Sequence, residues 1–136
     1  MHNLFIVWND SDSLGIPIID EQHRGIVSAI NSLHYLSRTK YAKESLAAVV
    51  KIMHEYCEIH FITEEGVMAR IGYPELPAHR ALHERLLRKS IAVGYESEHM
   101  NDPAEYLNFL KDWWLNHIGK QDRLYAPYAH EYMAAH

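Results

Sequence analysis

Seven side chains of metal-ligand type are spaced along the chain so that they can converge on one place. They are His23, the pair His60 and Glu64, the pair His79 and His83, and the pair His117 and Asp122. Neutral imidazole and carboxylate are ligands for iron, zinc and copper. His79 and His83, one helical turn apart, can chelate one ion, with His117 as its third nitrogen. His23 and His60 can hold a second ion. Glu64 and Asp122, with two oxygens each, can bridge the two. The second ion is then short of a ligand, and an open coordination position is where a small molecule binds. The spacing therefore predicts a buried dinuclear metal site.

Four helical stretches must position these groups. Residues 1 to 19 read as an irregular arm, punctuated by Asn9, Asp10, Ser11, Asp12, Ser13, Gly15 and Pro17. The first helix is expected from about Asp20, as N-cap, to Leu36, with Ile19, His23, Ile26, Ile30 and Leu33 on one stripe. The second runs from about Ala42 to Ile71, with Leu46, Val50, Met53, Cys57, His60, Glu64 and Met68 in register, and stops at Gly72-Tyr73-Pro74. A third opens near Pro77, carries His79, Leu82, His83, Leu86 and Ser90, and fades around Gly94. The fourth starts at Asp102-Pro103 and carries Tyr106, Leu110, Trp113 and His117. A short segment and a tail containing Pro127 follow. No stretch alternates with period two, so the fold class is all-α, an up-down-up-down four-helix bundle.

The register supports the convergence. In such a bundle the starts of helices one and three lie beside the finishes of two and four. His23, His79 and His83 are near starts, and His60, Glu64 and His117 are toward finishes, so all fall at one end. His54 and Glu58 share the His60–Glu64 spacing but are rotated from the apolar stripe by about 100°, one residue's turn; they are expected to be an exposed surface pair. His117 and Asp122 are the awkward pair. Five residues of α-helix turn roughly 500°, so a bend, a π-bulge or a helix end is required between them, and Gly119 can permit it.

The remaining candidates read as ordinary. His34, three turns (about 16 Å) from His23, is expected to be a core or boundary residue, and His2, His99, His130 and His136 to be solvated. Glu65 is expected to face solvent, away from Glu64. Met53 and Met68 read as core, and the lone Cys57 as a small apolar filler.

At 136 residues the chain has the length of one domain, divided into an arm of about 1–19, a bundle of about 20–118 and a C-terminal segment of about 119–136. One cysteine rules out an internal disulfide and suits a reducing compartment. A net charge of −5 with no basic stripe argues against a nucleic-acid partner. No signal peptide is evident, and no apolar run approaches the roughly 20 residues of a membrane helix. The expectation is a cytoplasmic protein with no membrane partner.

The chain resembles the hemerythrin family, in particular its single-domain bacterial members. The resemblance rests on Trp8, the run Ile19-Asp20-Glu21-Gln22-His23, the run His60-Phe61-Ile62-Thr63-Glu64-Glu65, Tyr73-Pro74, His79-Arg80-Ala81-Leu82-His83, and Trp113 through His117-Ile118 to Asp122. It implies two non-haem iron ions, oxo- or hydroxo-bridged, that bind molecular oxygen reversibly. It implies further that the iron held by His79, His83 and His117 is coordinatively full and that the iron held by His23 and His60 takes the oxygen. Phe61 and Trp113 are the candidates for the dry wall of the oxygen pocket, and Ile26 and Ile118 are secondary ones. Tyr125 falls where the family has a tyrosine near the centre.

Ligand counting bears on function independently. Ferritin-like di-iron enzymes use two Glu-x-x-His motifs and two further carboxylates, whereas this set has five nitrogens and two carboxylates. Fewer anionic donors stabilise high-valent iron less, which favours reversible binding over oxidation chemistry, so the chain is read as a non-enzyme serving oxygen storage, delivery or sensing. The alternative is a di-iron oxidase or peroxidase, or a protein that handles iron or nitric oxide. A sensing or interaction module, a reductase and an oxygen-consuming partner are further readings that no residue identifies.

Overall fold

The computed structural model describes residues 4–39 and 42–136. They form helices α1 (Pro17–Leu36), α2 (Ala42–Ile71), α3 (Leu76–Met100) and α4 (Ala104–Trp113). A π-helical segment (Trp114–Gln121), a 3-10 turn (Asp122–Leu124) and helix α5 (Ala126–Ala135) follow. The first four helices make the four-helix bundle, and there is no strand among the described residues. None of the described helices is long and apolar enough to cross a membrane. His2 lies outside the described residues.

The stripes read from the sequence are the buried faces. Ile19, His23, Ile26 and Ile30 of α1 are fully buried, as are Met53, His60, Glu64 and Met68 of α2. They build two apolar clusters. One contains Ile26, Ile30, Cys57, Phe61, Leu110, Trp113 and Ile118; the other contains Ile19, Met68, Tyr73, Tyr125, Ala126 and Ala129. The seven ligand-type residues lie between them, since His23 separates Ile19 from Ile26 and Glu64 separates Phe61 from Met68.

Several boundaries differ from expectation. Helix α1 begins at Pro17, because a first-turn proline starts a helix whose early N–H groups have no partner. Asp20 is therefore no cap: its carboxylate accepts from Leu14 N at 2.8 Å and from the Ser13 hydroxyl, clamping the arm to α1. Helix α2 ends as expected, with Gly72 at φ +70° and Tyr73 N–H donating to Met68 O at 3.0 Å, closing over the buried Met68–Tyr73 pair.

Helix α3 does not fade at Gly94. It continues to Met100 and is capped by Asn101 in the left-handed region at φ 54°. Gly94 serves close approach instead of termination: a Cβ there would stand 2.8 Å from Val50 Cγ1 and 3.1 Å from the His54 ring. The C-terminal tail, to which the sequence assigned no element, is helical. It forms α5, which opens on Pro127 in its first turn and covers the second apolar cluster with Ala126 and Ala129.

If Gly94 sets the spacing of α2 and α3, Gly94→Ala should lower unfolding stability by about 1–3 kcal/mol. Urea titration followed by circular dichroism measures this, and an unchanged midpoint would show that the helices can separate freely.

Candidate metal centre

Each part of the seven-residue set is brought in by its own local device. His23 projects from α1 and His60 and Glu64 from α2, and all three are completely buried. His79 and His83 project from successive turns at the start of α3, buried to 5% and 2% exposure. His117 and Asp122 share a face because the chain between them is π-helical. Asp122 N–H donates to His117 O, an i to i+5 bond that places residues five apart above one another. Gly119 suits the wider turn, since a Cβ there would lie 3.3 Å from the Trp114 carbonyl.

The side chains form two groups that share two members. Ligand atoms of Glu64, His79, His83, His117 and Asp122 lie within 4.8 Å of one another, and so do those of His23, His60, Glu64 and Asp122. The carboxylates divide their oxygens between the groups. Glu64 Oε1 is 2.9 Å from His83 Nε2 and 3.2 Å from His79 Nε2, while Oε2 is 3.6 Å from His60 Nε2. Asp122 Oδ1 is 3.0 Å from His117 Nε2 and 3.2 Å from His79 Nε2, while Oδ2 is 3.4 Å from His23 Nε2. The Nε2 atoms of His23 and His60 stand 3.2 Å apart.

Glu64 Oε1 is hydrogen-bonded to His79 and His83, and His23 to His60, but the other half of the cluster is not so satisfied. His117 Nε2 and both Asp122 oxygens are buried and lack a hydrogen bond of acceptable direction among the described residues. Their neighbours stand 3.0 to 3.4 Å away but are badly directed, which leaves these buried atoms open to a cation. Five imidazole nitrogens and two bridging-type carboxylates, with orphaned acceptors facing inward, fit a pair of iron ions.

Around this cluster lies a set of supporting groups, of which only Tyr125 was expected near the centre. His60 Nδ1–H donates to Gln22 Oε1 at 2.8 Å, and the Gln22 amide is oriented by donating to Thr63 Oγ1 at 3.1 Å. His83 Nδ1–H donates to Glu65 Oε2 at 2.8 Å, and Glu65 Oε1 accepts from Arg80 Nε at 3.2 Å. Each bond holds the proton on Nδ1 and leaves the Nε2 lone pair facing the cluster. Glu65 therefore does not simply face solvent; it anchors α3's histidine to α2. Tyr125 O–H donates to Glu64 Oε2 at 2.9 Å, a role beyond core packing.

Burial and these contacts shift the protonation equilibria. Burial pulls His60 down to about 4, against the opposing pull of Glu64. Burial alone would also lower His79, but the close carboxylates of Asp122 and Glu64 carry it up to about 9. Burial raises both carboxylates, and Asp122 raises Glu64 further, yet the surrounding imidazoles prevail and hold Glu64 low and Asp122 well below the usual range. Tyr125 is raised by burial, Glu64 and Asp122, so its phenol stays a donor.

The aromatic surroundings are placed as follows. Phe61 stacks on His83 with centroids 4.0 Å apart and meets Trp113 edge-on at 5.9 Å. Trp114, not singled out from sequence, meets His23 edge-on at 5.9 Å. Ile26 and Ile118 are buried in the adjoining apolar cluster. His54, expected on the surface, is turned between helices, with Nε2 3.1 Å from the Ser90 carbonyl and its ring against Tyr106; Glu58 is exposed. His130 is not merely solvated either, because Nε2 lies 2.6 Å from the Leu14 carbonyl. His34 stacks on Phe5 at the boundary, and His99 and His136 are exposed. Cys57 is buried and burial pushes its thiol up to about 12, as suits an inert filler.

A family model described as the hemerythrin HHE cation binding domain matches residues 14–129. The chain belongs to the hemerythrin family. It is 32% identical over 122 residues to the bacteriohemerythrin of Stenotrophomonas maltophilia (strain R551-3), covering 89% of this chain and 79% of that one. It is 34% identical over 114 residues to the bacteriohemerythrin of Methylococcus capsulatus, covering 79% and 83%. A crystal structure of wild-type hemerythrin superimposes with a TM-score of 0.79 at 27% identity, covering 92% of this chain and 98% of that one. A crystal structure of a hemerythrin point mutant gives 0.81 at 27% identity, covering 93% and 98%. The hemerythrin fold therefore accounts for nearly the whole described chain.

The hydrogen bonds and the charges each generate a prediction. Glu65→Ala and Gln22→Leu should each weaken iron binding by about 10–100-fold, measured by competition with a chelator; unchanged affinity would make these bonds incidental. Chelator-stripped protein should be most stable near pH 6.5. His60 favours the unfolded chain as pH falls from 6.5 toward about 4, because the unfolded state takes up the proton first. His79 stabilises the fold below 6.5 and loses that contribution as pH rises toward about 9. Thermal unfolding across this range tests both arms.

Proposed function

We propose that the chain binds molecular oxygen reversibly at a non-haem di-iron centre held by His23, His60, Glu64, His79, His83, His117 and Asp122. The observation that carries the reading is the unequal division of nitrogens: three histidines in one group and two in the other, with Glu64 and Asp122 common to both. An iron pair held there would supply two reducing equivalents, and the group with His23 and His60, one nitrogen poorer than the other, would be the side that takes a small molecule.

The protein's own groups supply the rest. Gln22 and Glu65 fix two imidazoles with their Nε2 lone pairs inward. Tyr125 holds one oxygen of Glu64 and keeps its own proton. Phe61, Trp113 and Trp114, with Ile26 and Ile118 in the same apolar cluster, surround this side of the centre with apolar surface that would keep water from it. Five nitrogens and only two carboxylates keep the anionic charge on the metals low, which favours binding without turnover. Storage, delivery and sensing all fit this chemistry, with a reductase keeping the iron ferrous.

A redox enzyme of the oxidase or peroxidase type is the second reading. It is favoured by the Tyr125 phenol, an oxidisable group 2.9 Å from the shared carboxylate.

Iron analysis combined with the visible spectrum under argon and then oxygen decides between them. The proposal expects two irons per chain and a colour that appears with oxygen and fades on its removal. Trp113→Ala should then oxidise severalfold faster. Irreversible oxidation with steady consumption of a reductant or peroxide would favour the enzyme, and failure to take up iron would overturn both.

A further inference from the structure

The outer face of α2 carries an apolar seam that the bundle does not use. Ile52, Ile59 and Ile62 are exposed to 55%, 60% and 69%, and Glu55, Gly66 and Ala69 beside them are exposed as well. Their positions, 52, 55, 59, 62, 66 and 69, step by three and four in alternation, the spacing that keeps one stripe facing a partner helix. The buried face of α2 points the other way, at Met53, Cys57, His60, Glu64 and Met68. Three isoleucines exposed by more than half on one helical line exceed the scatter expected of single surface apolar residues.

We infer that this seam is a dimer interface, closed by the same face of α2 from a second copy of this chain running antiparallel. The six positions pair completely with themselves. Setting Ile59 opposite Ile62 of the second copy also sets Ile52 opposite Ala69 and Glu55 opposite Gly66. A two-fold axis repeats each of the three layers, as an isologous interface requires. Large faces small in the outer layers, and isoleucine faces isoleucine at the centre.

Charge complementarity fixes the direction. Helical side chains lean toward their own N-terminus. In this register Glu55 leans over Gly66 of the second copy toward Arg70, which lies one turn beyond and leans back. Gly66 leaves room for the carboxylate, since nothing lies within 4 Å of a Cβ there. Within one chain Glu55 and Arg70 are separated by roughly 22 Å of helix, so they can meet only between copies. A parallel pairing would instead stack Glu55 on Glu55.

The area is sufficient for a modest dimer. Seventeen residue steps from 52 to 69 span about 26 Å, and a helix pair of that length buries on the order of 1,000 Å² in total, the lower bound for a specific interface. The seam lies on the outer side of the turns that carry His60 and Glu64, but it makes no use of metal, so the inference stands apart from the oxygen reading.

Analytical ultracentrifugation of the full chain from about 1 to 300 μM tests it, with iron content monitored in the same samples. The expected result is a reversible shift from 15.9 kDa toward twice that mass. Ile59→Glu should raise the dissociation constant at least about 100-fold, as a charge at the centre of an interface does, while circular dichroism stays unchanged because the residue is exposed. Glu55→Arg and Arg70→Glu should each weaken association, and the double variant Glu55→Arg with Arg70→Glu should restore it. A monomer throughout the range, a dimer indifferent to Ile59→Glu, or single charge reversals without rescue in the double variant would overturn the inference.

Discussion

Two carboxylates with no exposure at all, Glu64 and Asp122, set the terms for the rest of the molecule. Moving an ionised carboxylate out of water is costly unless it is paired and hydrogen-bonded. The groups that face these two are imidazoles and one phenol instead of lysine or arginine. Imidazoles with inward lone pairs relieve that cost fully only when a cation lies between them, which is why the polar layer reads as a metal centre and not as a structural network. The two apolar clusters on either side keep this layer dry and strengthen each of its electrostatic interactions.

The requirement propagates outward. An imidazole that presents Nε2 to a cation must be held through Nδ1, so Gln22 and Glu65 are constrained as tightly as the residues they orient. Glu65 in turn engages Arg80, and Gln22 engages Thr63. These bonds cross between helices, so the geometry of the centre and the packing of α1, α2 and α3 are one problem. The clamp of Asp20 on the arm, with Arg123 donating to the Ser11 carbonyl, extends the same connection to the segment that carries Asp122.

Most of the site was legible because helical spacing is arithmetic. His60 with Glu64 and His79 with His83 repeat every turn, and the buried stripes around them carry the same period. Even the interruption between His117 and Asp122 was legible, as a misfit of five residues to an α-helix, and it is met by a π-helical turn. What escaped was non-local. Nothing near Glu65 in sequence announces a bond to His83, eighteen residues away, and nothing marks Trp114 over Trp113 as the neighbour of His23. Gly94 misled because a glycine that ends a helix and one that lets two helices touch are identical in sequence. Helix α5 escaped as well, because its opening Pro127 was noted only as part of a tail.

The way the donors are distributed along the chain also grades the chain entropy that each one costs. His60, Glu64, His79 and His83 sit on the α2–α3 hairpin, so closing one short connection brings all four together. His23 must be recruited across the length of α1 and α2, and His117 with Asp122 from beyond α4, each at a greater loss of chain entropy. The hairpin therefore carries the donors that cost least chain entropy to bring together, and α1 and the π-helical segment complete the set at a greater cost.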